Sequence, residues 1–162
     1  MTFNNYTQKS LEAVQSAQNI AVQHSNQQLE QIHLLLALLQ QDGGLTPQLL
    51  RKMGVNAESL EAAAKAEVRN LPTVTGSREA DRFYISAAVD ATFCTAEQQA
   101  QRMKDDFISV EHLLLALIEA AQGSVKNLFE TYRVTKEGVL QALQSIRGSQ
   151  RVTTDNPEST YD

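Results

Sequence analysis

His33-Leu34-Leu35-Leu36-Ala37-Leu38-Leu39 recurs 79 residues later as His112-Leu113-Leu114-Leu115-Ala116-Leu117-Ile118, with six of the seven positions identical. The same offset carries Ala17 onto Ala96, Ala21 onto Ala100, Leu29 onto Ile108, Leu49 onto Leu128, Val55 onto Val134 and Leu60 onto Val139. A register kept without a gap from residue 17 to residue 60 marks a duplicated unit. Both copies of the motif are apolar nearly all round a helix, the pattern of a helix buried on every side.

Working outward, each unit reads as four helices. In the first, Leu11, Val14, Ala17 and Ala21 form one apolar stripe over about Thr7 to His24, with the Thr7 hydroxyl suited to the N-cap. The buried helix spans about Gln31 to Gln41 and stops at Gly43-Gly44. Thr46-Pro47 reads as an N-cap followed by proline at the first helical position, opening a short helix that ends at Gly54. A fourth helix opens at Asn56 and runs to about Arg69. Leu71 to Arg78, with its proline and glycine, breaks the pattern and links the units. The second unit repeats the plan near Glu79–Met103, Val110–Gln122, Val125–Tyr132 and from Thr135, its buried helix capped by Ser109. After Arg147-Gly148 the chain turns polar, and residues 148–162 read as a flexible linker. Each unit is near the size at which a lone core is marginal. The fold class expected is therefore all-α, with two pseudo-two-fold-related four-helix units forming one eight-helix domain over residues 1–147 (repeat 1 about 3–70, link 71–78, repeat 2 about 79–147).

Composition agrees. The 162 residues hold only 3 Pro and 7 Gly, too few for an all-β fold with a turn every 8–12 residues or so. A net charge of −5 is a poor match for a phosphate backbone, and Arg102 and Lys104 are followed at once by Asp105-Asp106, so nucleic acid is not the expected partner. The single cysteine, Cys94, excludes an internal disulfide. The start has neither the basic nor the apolar region of a signal peptide, and the longest apolar run, Leu34–Leu39, is far short of a membrane span. These features point to the cytoplasm and to no membrane partner.

Phosphate-loop, dinucleotide, zinc-protease and nucleophile-elbow motifs are all missing. Glu111-His112 is the nearest approach to a metal or acid–base pair, but one helical turn after His112 stand Leu115 and Ala116, and after His33 stand Leu36 and Ala37, none of which binds metal. Both histidines are expected to be structural, bonding local backbone while the ring packs. Cys94 lies near Asp90 and Glu97, which would not favour a thiolate, and is expected to be buried and inert. A metal- or thiol-dependent enzyme built on Glu111, His112 and Cys94 is the reading from a different class. Between the units, Asp105-Asp106-Phe107 and Glu111 set acidic groups beside apolar ones, opposite Phe3 and Tyr6. That mixture suits an extended peptide, with apolar pockets for anchors and carboxylates for backbone amides, although a solvated loop with core aromatics has the same composition.

At Glu30-Gln31-Ile32-His33-Leu34-Leu35-Leu36-Ala37-Leu38-Leu39, at Phe107-Ile108-Ser109-Val110-Glu111-His112-Leu113-Leu114-Leu115-Ala116-Leu117 and at Tyr6-Thr7 with Ala17-Gln18, the chain resembles the Clp amino-terminal domain family, over about residues 3–147. Within it, the similarity is greatest to the disaggregase branch, the ClpB type, through Leu71-Pro72 and the tail from Asn156. The resemblance implies a mobile, non-catalytic module that contacts exposed apolar segments of unfolded or aggregated polypeptides. ATP and magnesium would then serve AAA+ modules after Asp162, in a hexamer that cooperates with the DnaK system. Adaptor docking in a ClpC- or ClpA-type protease unfoldase is the alternative. Carried over by position, the binding residues would be Thr7, Asp105 and Glu111, with Phe93 and His112 lining an apolar groove. The chain departs from the family pattern at Gln31-Ile32, where Pro-Glu or Ser-Glu is usual, and at Phe93 and His112, where aliphatic residues are common.

Overall fold

The structure, a computed structural model, describes residues 3–74, 84–148 and 150–160. Its helices are α1 (Gln8–Gln23), α2 (Gln31–Gln40), α3 (Leu45–Lys52), α4 (Ala57–Arg69), α5 (Ala87–Arg102), α6 (Val110–Ala120), α7 (Gly123–Tyr132) and α8 (Lys136–Arg147). Strands β1 (Gln28–Leu29) and β2 (Tyr84–Ile85) are two residues each, and a 3-10 turn covers Pro157–Thr160. The fold is all-α.

Repetition extends to the caps. Thr7 and Ser86, which are 79 apart, cap α1 and α5 by accepting from Ser10 N–H and Val89 N–H. Asn56 and Thr135 do the same for α4 and α8. The turn after α3 uses Gly54 at φ 77°, and its counterpart after α7 holds Arg133 in the same left-handed region at φ 58°. Both turns close the same bond, Val55 N–H to Leu50 O at 2.9 Å and Val134 N–H to Phe129 O at 2.8 Å. The hydrogen bond thus keeps the turn even where glycine is replaced.

The two units are interlocked through their backbones. β1, from the first unit, pairs in parallel with β2, from the second, in the register Gln28 to Tyr84 and Leu29 to Ile85. Tyr6 of the first unit forms the pseudo-two-fold-related parallel bridge with Ile108 of the second. Each unit therefore supplies its entry segment to the other unit's strand. The side chains follow: α1 packs on α2 and α5 on α6, and α2 meets α6 within one contiguous core. Leu34, Leu35 and Leu38 of α2 and Leu113, Leu114 and Leu115 of α6 are fully buried. At roughly 1.5–3 kcal/mol for each leucine removed from water, these two helices carry a large share of the driving force.

Three sequence expectations are corrected. Gly44, not Thr46, is the N-cap of α3, so Thr46 and Pro47 lie inside its first turn, both buried. The second unit's first helix begins at Ala87 rather than near Glu79, because Ser86 caps it and Tyr84–Ile85 is held as strand; residues 79–83 fall outside the described set. Cys94 is exposed, not buried, since the inward stripe of α5 runs through Val89, Phe93 and Ala96. Within the expected linker, 148–162, residues 150–158 hydrogen-bond to the body. Among the described residues no helix is long and apolar enough to cross a membrane.

Leu35 and Leu114 are repeat-equivalent and fully buried in one core. Leu35→Ala and Leu114→Ala should each cost about 2–5 kcal/mol. Urea unfolding followed by far-UV circular dichroism should show one transition in each variant, shifted to lower urea. Two separate transitions would contradict a shared core.

Candidate functional site

Both repeated histidines hold the start of their helix. Backbone N–H of Glu30 donates to His33 Nδ1 at 2.9 Å, and N–H of Ser109 donates to His112 Nδ1 at 2.8 Å. Because Nδ1 accepts in each ring, Nε2 carries the proton and donates: to Asn26 Oδ1 at 2.8 Å in the first unit, and to Asp105 Oδ2 at 2.7 Å in the second. Asn26 and Asp105 are themselves equivalent. Each follows a residue in the left-handed region, Ser25 at φ 55° and Lys104 at φ 57°. The expected structural role of the histidines is what the geometry displays.

Beyond that shared frame the units differ in charge. Asp105, Glu111 and Arg147 form a buried cluster, with Arg147 Nη1 donating to Glu111 Oε2 at 3.2 Å and Nη2 donating to Asp105 Oδ1. Ser109 Oγ donates to the other Glu111 oxygen. In the first unit the equivalent positions are Asn26, Ile32 and Val68, one amide and two aliphatic side chains, all buried. The charged cluster is thus a property of the second unit alone. Gln31, one of the departures from the family pattern, has a structural use: its amide donates to Thr92 Oγ1 and Ala120 O, and its carbonyl accepts from Gln122 N–H, closing the C-terminal end of α6.

Burial would push the Asp105 carboxyl up, yet hydrogen bonds from His112, Arg147 and Val152 N–H, with the charge of Arg147, hold it below the usual carboxylate range. The opposite balance applies at Glu158. Burial pushes its carboxyl up, against hydrogen bonds from Thr7 Oγ1 at 2.7 Å and Val110 N–H at 3.1 Å, and the nearby Glu111 adds to the rise. Glu158 Oε2 therefore spans the N-termini of α1 and α6, where the helix dipoles favour an anion. A cavity of about 200 Å³ opens beside it, lined by Lys9, Gln41, Asp42, Gly43, Leu45 and Val110.

The sequence-predicted residues are brought together in part, and none is open to solvent. Thr7, Glu111 and His112 are wholly buried, Phe93 is 1% exposed and Asp105 9%. Asp105, Glu111 and His112 share one network, and Thr7 joins its edge through Glu158. Phe93 lies beneath an aromatic cover, with Phe3 at 5.5 Å and Tyr6 at 6.4 Å between ring centroids, both edge-on. His112 faces Asp105 rather than a groove. Sequence reasoning missed Arg147, Val152 and Glu158. An arginine ending an otherwise amphipathic helix reads as an ordinary favourable charge at a C-terminus, and only the repeat offset, which sets it opposite a valine, could have singled it out. Cys94 is exposed while Glu111 and His112 are sealed, so the three share no surface.

Residues 5–132 match the family described as the Clp repeat (R) N-terminal domain. The chain belongs to that family. Chaperone protein ClpB of Bacillus cereus is 42% identical over 163 residues, a match that takes in 100% of this chain and 19% of that protein. ClpB of Nitratidesulfovibrio vulgaris is 36% identical over 164 residues, with the same shares. The chain thus spans about a fifth of the length of the curated relatives it matches. The Hsp104 N-terminal domain from Candida albicans superposes with a TM-score of 0.81 at 23% identity, covering 96% of this chain and 99% of that one. The N-terminal domain of ClpD from Arabidopsis thaliana gives a TM-score of 0.68 at 19% identity, covering 89% and 97%. The Clp family match takes in Thr7, Phe93, Asp105, Glu111 and His112 and ends before Arg147.

Arg147→Met should destabilise the domain by about 3–5 kcal/mol, because it leaves two carboxylates buried without their counter-charge. Urea unfolding at pH 7 measures this, and Arg147→Lys should recover only part, since one ammonium cannot fork between both acids. A pH effect is expected from His33, which burial and then the neighbouring His24 pull down to about 4 from an ordinary 6.5. Below pH 6.5 the unfolded chain takes up a proton that the folded one refuses, so stability should fall progressively from pH 6.5 to about 4. Urea midpoints measured across that window should decline in the natural chain and decline less in His33→Gln.

Proposed function

We infer that this chain is a substrate-binding N-terminal module of a ClpB-type, ATP-dependent disaggregase. It contacts exposed apolar segments of unfolded or aggregated polypeptides and has no catalysis of its own. ATP and magnesium serve AAA+ modules in the longer hexameric protein, which works with the DnaK system in the cytoplasm. The observation that carries the reading is the 42% identity to Bacillus cereus ClpB across the whole of this chain, confined to 19% of that chaperone. Support from the geometry is that Phe3, Tyr6 and Phe93 form an apolar corner, in which Tyr6 directly precedes Thr7, whose hydroxyl faces Glu158 over the start of α6. Weak binding suits such a module, since several copies in one oligomer add avidity without new contacts.

Adaptor docking in a ClpC- or ClpA-type unfoldase is the second reading, favoured by the same fold in the ClpD N-terminal domain. Titration of the isotope-labelled chain with a permanently unfolded polypeptide, followed by NMR, tests the first reading. Shifts should centre on Thr7, Phe93, Asp105 and Glu111 and saturate in the micromolar to millimolar range, about −8 to −4 kcal/mol. Shifts scattered elsewhere would remove the site.

A further inference from the structure

The C-terminal segment is held by the pattern of contacts that a protein offers to a bound peptide. Val152 is engaged on both its backbone groups, its N–H donating to Asp105 Oδ1 at 2.9 Å and its carbonyl accepting from Asp106 N–H at 2.7 Å. Three residues on, Asp155 O accepts from Gln8 N–H at 2.7 Å. Three further on, the Glu158 carboxylate accepts from Thr7 Oγ1 and Val110 N–H. Val152 and Pro157 are buried, whereas Arg151 and residues 153–156 between them are exposed. A core element would bury a continuous face; two buried anchors with exposed side chains between them are how an extended ligand lies in a site.

We propose that residues 150–158 are an intramolecular ligand occupying a peptide site between the two units. The site takes, in trans, an extended segment with a small apolar residue followed six positions later by a carboxylate. The inference rests on the peptide-binding reading above and supplies its specificity. On the body, backbone N–H groups, the Thr7 hydroxyl and the Asp105 carboxylate are joined by the Arg147 guanidinium, which donates to Gln150 O at 2.7 Å, and by the Gln8 amide, which donates to the Asp155 carboxylate at 3.3 Å, so the site reads peptide backbone and acidic side chains. Among the described residues the buried Glu158 Oε1 has no hydrogen-bond partner, so the resident segment fits imperfectly and leaves room for a better occupant. Its contacts are few and lie at the edge of the core, which permits release by local opening without unfolding the helices. The tether after α8 is short, so the resident segment acts at a high effective concentration, and the apparent affinity for an outside peptide falls by the fraction of open molecules.

The test uses the full chain and the double variant Val152→Asp/Glu158→Ala, which weakens the resident segment and changes no residue of the eight helices. A fluorescent peptide of the sequence Gln150 to Glu158 should bind the double variant at least about tenfold more tightly than the natural chain. The same peptide carrying the two substitutions should bind neither. Equal binding to both chains, or none to either, overturns the proposal. Hydrogen exchange on the natural chain keeps the question open to measurement should the variant fail to fold. On saturation with reduced, carboxymethylated α-lactalbumin, the Val152 amide should lose protection while those of Gln8, Asp106 and Val110 keep theirs. Bound client with Val152 still protected overturns the shared site and leaves client binding standing. Absence of client binding alongside peptide binding to the double variant removes the client reading and upholds the peptide site.

Discussion

Asp105 is a buried carboxylate whose two oxygens tie four parts of the chain together. One accepts from His112 at the start of α6, and the other from Arg147 at the end of α8 and from the backbone of Val152 in the C-terminal segment. Its own position is set by the turn after α5, where its N–H donates to Ala100 O at 2.9 Å. Removing such a group from water is costly unless both charge and hydrogen bonds are supplied, and each of these partners is therefore held in place by the need to satisfy it. The N-terminal turn of α6, the C-terminus of α8 and the path of the tail all follow from this one desolvated charge.

Duplication explains why the node sits where it does. The capped histidine, the left-handed residue before its partner and the turn after the third helix are common to both units, so they are features of the ancestral plan. The units diverge where Asn26, Ile32 and Val68 face Asp105, Glu111 and Arg147. Those three positions differ together between the units, and a single charge placed among the first unit's aliphatic residues would be buried without a partner. One half of the domain carries no charge at these positions, and the other carries an ionic junction at which backbone from elsewhere in the chain can be bound.

Much of the fold was legible in one dimension. The leucine motif, its offset of 79 and the capping residues Thr7, Asn56, Ser109 and Thr135 report local preferences that act within a helical turn. Where the reading went astray, a contact from far along the chain had decided the matter. Thr46-Pro47 resembles a helix start, but burial of both placed the start at Gly44. The helix expected from Glu79 gives way to strand at Tyr84–Ile85 because Leu29 offers a pairing partner. Cys94 turned outward because Phe93, beside it, fills the space under Phe3 and Tyr6.

The amino-acid sequence by itself determined that this protein is two copies of a four-helix unit, acidic, with its most apolar helices at the centre, since periodicity and composition are properties of neighbouring residues. Only the tertiary structure decided that Asp105 and Glu111 are clamped by Arg147, and that Val152 and Glu158 reach Asp105 and Thr7 across separations of 47 and 151 residues. Hydrogen bonds and ion pairs depend on distances of about 3 Å between groups that no local pattern relates, and folding alone brings them that close.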